Sequence, residues 1–325
     1  MHVASLDFGG SSVKYALVDR DGVLRHTGRC PAPLESKEAF VDCVCAVVRQ
    51  LENAQGVAIS LPGYVDAGSG MLTGSGAYRA LYGCNIIKLL QSRLGLPVAV
   101  ENDGKCGALA EATFGALRGC RDGVVLILGS GIAGGIIKDG RIHAGREFAA
   151  GEFSNYLVDP KCPSFLGLAV MHCAAFGLTY RLCKAKNLAF DCQNLAQELF
   201  GVDAAFGAQF PAPSGVLQNV RADGRQLAAW LAEGDAAAEK VYSDFLRALA
   251  FMIANIQITF APEKIVIGGG LSRIPSMPEA LQSVLDEYYA GTGFGPELRA
   301  EVVRSAYLDE CNLVGAASNF YIRNP

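Results

Sequence analysis

The strongest constraint on this chain is a pattern that occurs twice: an apolar run, a glycine-rich turn, and a second apolar run. Near the N-terminus, Val3–Phe8 and Val13–Val18 flank Gly9-Gly10-Ser11-Ser12, and Asp19-Arg20-Asp21-Gly22 turns the chain into a third strand near Leu24. Further along, Val124–Leu128, Gly129-Ser130-Gly131, Ile136–Lys138, the turn Asp139-Gly140 and a strand near Arg141–His143 repeat that order. Each copy reads as an antiparallel meander, so the chain reads as internally duplicated. A glycine-rich turn between strands lets backbone N–H groups face an anion, because no Cβ blocks the approach. One such turn alone reads as a tight hairpin. Two in matching places, with Ser11 and Ser130 adding hydroxyls, read as a phosphate clamp.

The stretches between the meanders alternate in type. Lys37–Glu52 reads as a helix, Gly56–Ser60 as a buried strand, Ile86–Leu94 as a helix, and Val98–Glu101 as a strand that ends at Asn102 and Asp103 before the helical Gly104–Phe114. Phe165–Glu198 and Asp235–Phe260 are helical, Ile265–Gly268 is a short strand ending in Gly268-Gly269-Gly270, and Pro278–Tyr289 is a helix. Strands alternating with helices predict an α/β fold with covered sheets and functional groups at the strand ends. At 325 residues the chain exceeds one ordinary core. Two domains are expected, residues 1–117 with 306–325 and residues 118–305, with a cleft between them and breaks near Phe114–Gly123 and Glu301–Ser305.

Composition narrows the class of partner. A net charge of -4 and no Lys/Arg cluster argue against a nucleic-acid binder and for a small molecule. The first strand opens at Val3 and no apolar run reaches spanning length, so a cytoplasmic protein without membrane contact is expected. The 11 cysteines read as reduced thiols, most of them small core residues. There is no C-x-x-C pair, and Cys162, Cys173, Cys183 and Cys192 are too widely spaced for a compact zinc knuckle.

Several polar residues could carry chemistry. Asp103, at a carboxyl strand end, is the candidate general base, since phosphoryl transfer to an alcohol needs a carboxylate to take the hydroxyl proton. Read alone, Asn102 or Asp103 could equally well be only the cap of the helix that follows. Asp7 lies just before the first turn, where it would repel phosphate unless a cation such as Mg²⁺ lies between them. Gly268-Gly269-Gly270 would let a flat nucleoside lie against bare backbone or simply turn strand into helix. Tyr64, Glu152 and Asn155 sit in glycine-flanked loops of the kind that line sugar sites.

Six motifs in order then carry a resemblance over essentially the whole chain: Asp7-Phe8-Gly9-Gly10-Ser11 with Lys14, Leu61-Pro62-Gly63, Glu101-Asn102-Asp103, Leu128-Gly129-Ser130-Gly131-Ile132, Ala150-Gly151-Glu152 and Ile265–Gly270. The set resembles the ROK family of sugar kinases in the actin-like ATPase superfamily. The resemblance implies two ribonuclease H-like domains that close on substrate, ATP with Mg²⁺, and usually a homodimer. It makes Asp103 the base and has Asn102 and Glu152 bond the sugar hydroxyls. Gly63, Tyr64, Gly76 and Asn155 fall on the sugar side. Asp7, Gly9, Gly10, Ser11, Lys14, Gly129, Ser130 and Gly131 fall at the ATP phosphates, and Gly268, Gly269 and Gly270 near the nucleoside.

The departures matter as much. Asn155 stands where members carry a zinc-ligating histidine, the cysteine cluster is missing, and no second sugar-binding glutamate can be placed, so structural zinc is not carried over. This zinc-free pattern, with Pro62-Gly63-Tyr64-Val65, Gly76-Ala77-Tyr78-Arg79 and Ala150-Gly151-Glu152-Phe153, looks like the β-glucoside kinase branch, which phosphorylates the 6-hydroxyl of glucose in disaccharides such as cellobiose. Lys105, where a small polar residue is usual, and Ala133, in place of a glycine, also depart from the pattern. Glucokinase, N-acetylmannosamine kinase and fructokinase activities remain alternatives within the family. So does a non-catalytic sugar-sensing regulator, although the strand opening at Val3 is expected to leave no place for a helix-turn-helix.

Overall fold

A computed structural model describes residues 1–74, 76–188, 224–307 and 310–325. Each meander seeds a five-stranded sheet. The first is built from β1 (His2–Phe8), β2 (Ser12–Asp19), β3 (Leu24–Pro31), β4 (Val57–Leu61) and β7 (Val98–Asn102), in the order β3-β2-β1-β4-β7. The second uses β8 (Gly123–Leu128), β9 (Ile132–Lys138), β10 (Arg141–Ile142), β11 (Lys264–Gly268) and β12 (Glu301–Arg304), in the order β10-β9-β8-β11-β12. Both pair their first three strands antiparallel and add the last two in parallel. The duplication read from the glycine turns is therefore a duplication of topology. Between β4 and β7 a small hairpin intervenes, β5 (Tyr64–Asp66) with β6 (Met71–Gly74).

Helices cover both sheets. They are α1 (Lys37–Gln50), α2 (Ile86–Leu94), α3 (Asp103–Thr113), α4 (Ala169–Cys173), α5 (Ala175–Ala185), α6 (Gly224–Ala232), α7 (Ala236–Phe260), α8 (Met277–Thr292) and α9 (Cys311–Arg323). Local chemistry sets several starts: the side chains of Ser36, Asn85 and Asp235 accept from backbone N–H groups in the first turns of α1, α2 and α7.

Strand alternation sorts the first sheet's residues between two cores. Ala4, Leu6, Phe8, Val57 and Ile59 pack with Phe40, Val44, Ile86 and Leu90 of α1 and α2. Val3, Ala16, Val18, Ala58 and Ala99 pack on the opposite face with Leu313, Ala316, Ala317 and Phe320 of α9. In the second sheet, Val124, Leu126, Ile265 and Ile267 join the core formed with α4, α5, α7 and α8. Val125, Ile137 and Val266 instead meet Ala108 of α3. Thus α3 and α9 lie between the two sheets, and α3 is buried all round from Gly104 to Glu111. A helix buried on every side shows no amphipathic period, and its small residues, Gly104, Cys106, Gly107, Ala108 and Ala110, are what let two sheets and a helix approach it.

Some elements differ from the sequence expectation. Glu301–Arg304, next to the break expected near Ser305, is a strand that the sequence did not suggest, because its backbone completes the parallel edge beside β11. The hairpin β5–β6 and the helices α6 and α9 lacked a distinct sequence signal. The helical run from Phe165 resolves into a 3₁₀ turn, α4 and α5, and its continuation from residue 189 to Glu198 lies outside the described residues, as does Cys192. The ten described cysteines are free; Cys45, Cys106, Cys173, Cys183 and Cys311 are buried, and Cys30, Cys43, Cys84 and Cys120 are partly buried against the cores. Among the described residues no helix is long and apolar enough to cross a membrane.

Candidate active site

The first glycine turn joins β1 to β2. Gly9 N–H donates to the Ser12 carbonyl, and the buried Tyr78 hydroxyl donates to the Gly9 carbonyl at 2.8 Å, so the turn is fixed while Gly10 and Ser11 form its tip. Tyr78 is held edge-on by the rings of Phe8 and Phe40. Asp7, two residues before Gly9, is not a turn cap. It lies within β1 opposite Lys14 of β2, and its Oδ1 accepts from Ser60 Oγ at 2.8 Å and Asn312 Nδ2 at 3.1 Å. These neutral donors orient the carboxylate without neutralising it.

At the end of β7, Asn102 is the N-cap of α3. Its Oδ1 accepts from Lys105 N–H at 3.0 Å and its Nδ2 donates to the Gly63 carbonyl at 2.9 Å. Both cap and loop anchor are thus served by one buried amide, and the capping role left open by the sequence falls to Asn102. Asp103 becomes the first residue of α3, half-buried, with Oδ1 accepting from the neighbouring Gly104 N–H. A carboxylate in the first turn of a helix is favoured by the helix dipole.

Close packing brings a second carboxylate to Asp103. A Cβ on Gly104 would lie 2.3 Å from Gly134 N, and one on Gly151 would lie 3.0 Å from Gly134 O. The α3 N-terminus and the Gly151-Glu152 loop therefore rest on the same bare backbone of β9. Burial pushes the Asp103 carboxyl up to about 6, with the negative charge of Asp7 as the next cause. Glu152 is pushed up to about 7, again by burial first and then by Asp103. Glu101, buried behind them, is raised to about 6 by burial. Two carboxyls raised by burial, Glu152 also by the charge of Asp103, match what general-base chemistry near neutral pH requires.

The second glycine turn, between β8 and β9, is held by backbone. Gly129 N–H donates to the Ile127 and Gly131 carbonyls, while the Gly129 and Ser130 carbonyls accept from Ala175 and Phe176 N–H at the start of α5. Ser154 Oγ accepts from Ile132 N–H at 2.8 Å and closes the turn from the other side. Beside it opens a cavity of ≈ 440 Å³, lined among others by Ser130, Arg225, Gly270, Arg273 and Ile274. Of the triple glycine only Gly270 reaches this cavity. Gly268 pairs with Ile127 inside the sheet, and Gly269, at φ +83°, packs against the Leu128 backbone.

A family model described as ROK family matches residues 3–321. This chain belongs to the ROK family. It is 28% identical over 323 residues to a beta-glucoside kinase of Klebsiella pneumoniae, covering 98% of this chain and 96% of that one. Among solved structures, it resembles a ROK family protein from Streptococcus pneumoniae in complex with sucrose, at a TM-score of 0.82 and 22% identity, covering 100% of this chain and 99% of that one. It also resembles a ROK family glucokinase from Streptomyces griseus in complex with glucose and AMPPNP, at a TM-score of 0.74 and 24% identity, covering 98% of each. The fold is that of the ROK kinases, with the actin-like ATPase arrangement of two ribonuclease H-like sheets.

Within this ROK fold the expected site residues separate into groups. Asp103, Asn102, Gly63 and Glu152 are joined through α3 and β9. Asp7, Lys14, Gly9, Gly10 and Ser11 lie at the first turn, and Gly129, Ser130 and Gly131 at the second. Tyr64 opens the β5–β6 hairpin and Gly76, at φ +49°, follows it. Asn155 is exposed at the end of a 3₁₀ turn, tied only by its N–H to the Glu152 carbonyl among the described residues. Sequence reading missed Ser60, Ser154, Asn312, Arg225 and Arg273. None lies in a glycine motif, and Asn312 is brought to Asp7 only by the return of α9 to the first sheet. The pair Gly134-Gly135 was the legible signal for the seat under Asp103 and Glu152, since two glycines inside a strand mark a close backbone approach.

Proposed function

We infer that this ROK chain is an ATP-dependent sugar kinase that phosphorylates the 6-hydroxyl of a glucose unit, with a β-glucoside such as cellobiose or glucose itself as acceptor. The observation that carries the reading is Asp103, raised to about 6 by burial at the end of β7, with Glu152 seated beside it on the same glycine pair of β9. Asp103 is the group that takes the hydroxyl proton. Its position favours the ionised form at neutral pH while keeping enough basicity to be useful. Glu152 and the spare hydrogen-bonding capacity of Asn102 orient the sugar hydroxyls, with Gly63, Tyr64, Gly76 and Asn155 around them.

The phosphates fit the two turns. Gly10 and Ser11 face them from one side and Ser130 and Gly131 from the other, with Lys14 nearby. The cavity beside Gly270, where an added Cβ would meet nothing within 4 Å, suits a nucleoside. Mg²⁺ is usually held by one or two carboxylates together with substrate phosphates, and Asp7, fixed by neutral donors, suits that demand. When bound, the ion would draw charge from the phosphates at the reacting centre. No group of three or more His, Cys, Asp or Glu suited to hold a metal occurs among the described residues.

The units that close around the substrates are taken as residues 1–117 with 306–325 and residues 118–305. Both crossings between them are gripped by one carboxylate: the fully buried Glu111 of α3 accepts from Ala116 N–H at 2.7 Å, Ala306 N–H at 3.0 Å and Ser305 Oγ. The deciding experiment is a coupled ADP-release assay over free hexoses and β-linked disaccharides. Turnover of glucose or cellobiose is expected; preference for free N-acetylmannosamine or fructose would reject the substrate and spare the chemistry.

A further inference from the structure

Lys105 is the departure from the ROK pattern with the clearest structural consequence. Its side chain is only 1% exposed, and its Nζ donates to the Phe148 carbonyl at 2.9 Å. A buried ammonium is costly unless paired, and the charges around this one are the carboxylates of Glu101, Asp103 and Glu152, each of which it holds lower than burial alone would. Its acceptor is equally unusual. Phe148 lies in a loop where Gly145, Glu147, Phe148 and Gly151 have φ of 68°, 52°, 62° and 91°. Two adjacent non-glycine residues in the left-handed region are strained and persist only where their surroundings over-determine them.

The bond therefore ties the first turn of α3, which carries Asp103, to the loop that ends in Glu152. Resting on the kinase reading, we propose that Lys105 is a positioning residue, which by holding the Phe148 carbonyl sets the strained 145–152 loop and so places Glu152 against the sugar. In this role it acts through its bond to the loop rather than as a ligand of phosphate or sugar. Its effect is on how the acceptor is presented, and the nucleotide side lies across β8 and α5, beyond the loop it straps.

Three variants test this with cellobiose or glucose, whichever the wild type turns over. Lys105→Met keeps the length and loses the donor, and is expected to raise the sugar KM on the order of tenfold while leaving the ATP KM within about twofold. Phe148→Pro acts from the loop side, since proline cannot adopt a φ of 62°, and should give the same split even where Lys105→Met fails to fold. In a Glu152→Gln background, Lys105→Met should add little, because both changes remove one interaction. An unchanged sugar KM in either single variant, an equal rise in the ATP KM, or independent multiplication of the Lys105 and Glu152 effects overturns the proposal. Wild-type turnover decides the kinase reading separately. If the wild type turns nothing over, the rise in Tm caused by cellobiose or glucose is the readout: its loss in the variants supports Lys105, and its persistence, or its absence from the wild type, overturns it.

Discussion

The two sheets share strand order and direction, yet they differ at the end of the fifth strand. In the first sheet β7 runs into Asn102 and Asp103, and α3 follows at once. In the second, β12 ends at Arg304, and Ser305 there serves Glu111 of α3. The glycine turns differ as well. Among the described residues the first is anchored by the Tyr78 hydroxyl and by one backbone bond, Ala32 N–H to the Ser11 carbonyl at 3.4 Å, and the second by two backbone N–H groups of α5 and by Ser154. On the proposed kinase reading, duplicated topology supplies two places for phosphate but a base in one half only, while at the matching position of the other half Ser305 bonds Glu111.

This asymmetry can be broken at several points. The largest effect is expected for Asp103→Asn, which should lower kcat by roughly 10²–10⁴-fold while sugar binding, read by calorimetry, stays close to wild type. Activity near the wild-type level would remove the base from the first half.

Glu111→Ala should destabilise by about 3 kcal/mol, since it strips acceptors from Ala116, Ser305 and Ala306 together, and should lower Tm by roughly 5–10 °C. A shift near zero would mean that the crossings are held elsewhere.

Changing pH separates activity from stability. Asp103 and Glu152 titrate near 6 and 7 when folded, above their ordinary values of 3.8 and 4.5, so the folded state binds more protons than the unfolded chain in between. Their contribution to stability is present below those ordinary values and is lost as pH rises through about 6–7. The base, in contrast, works only when ionised, so kcat/KM should fall about tenfold per unit below an inflection near pH 6. Asp103→Asn should flatten its part of the stability profile; an unaltered profile would contradict the assignment.

The smallest effects compare the turns. Tyr78→Phe removes the one side-chain anchor of the first turn and should raise the ATP KM a few-fold, in line with about 1 kcal/mol for a lost neutral hydrogen bond. Ser154→Ala should do less, because Ala175 and Phe176 still hold the second turn. The reverse order would show that the backbone anchors are the weaker ones.

Legibility followed the range of the interaction. The meanders, the α2 boundaries and the placement of Asp103 after a buried strand were readable because alternation, turn glycines and caps act over a few residues. The strand β12, the helix α9 and the reach of the triple glycine were not, since their roles depend on partners far along the chain: β12 needs β11 beside it, and Gly268 and Gly269 lie against the backbone of β8 at Ile127 and Leu128.

By itself, the sequence determined that this chain folds as two like halves, that each half offers a glycine turn, and that one strand end carries Asp103. Those properties follow from local periodicity and from what glycine permits. Tertiary structure alone decided that Asp103 and Glu152 become neighbours, that Asn312 returns to Asp7, and that Lys105 is buried against Phe148. Each depends on α3 being enclosed between two sheets, where backbone contact at Gly134 and the loss of water set both the distances and the charges.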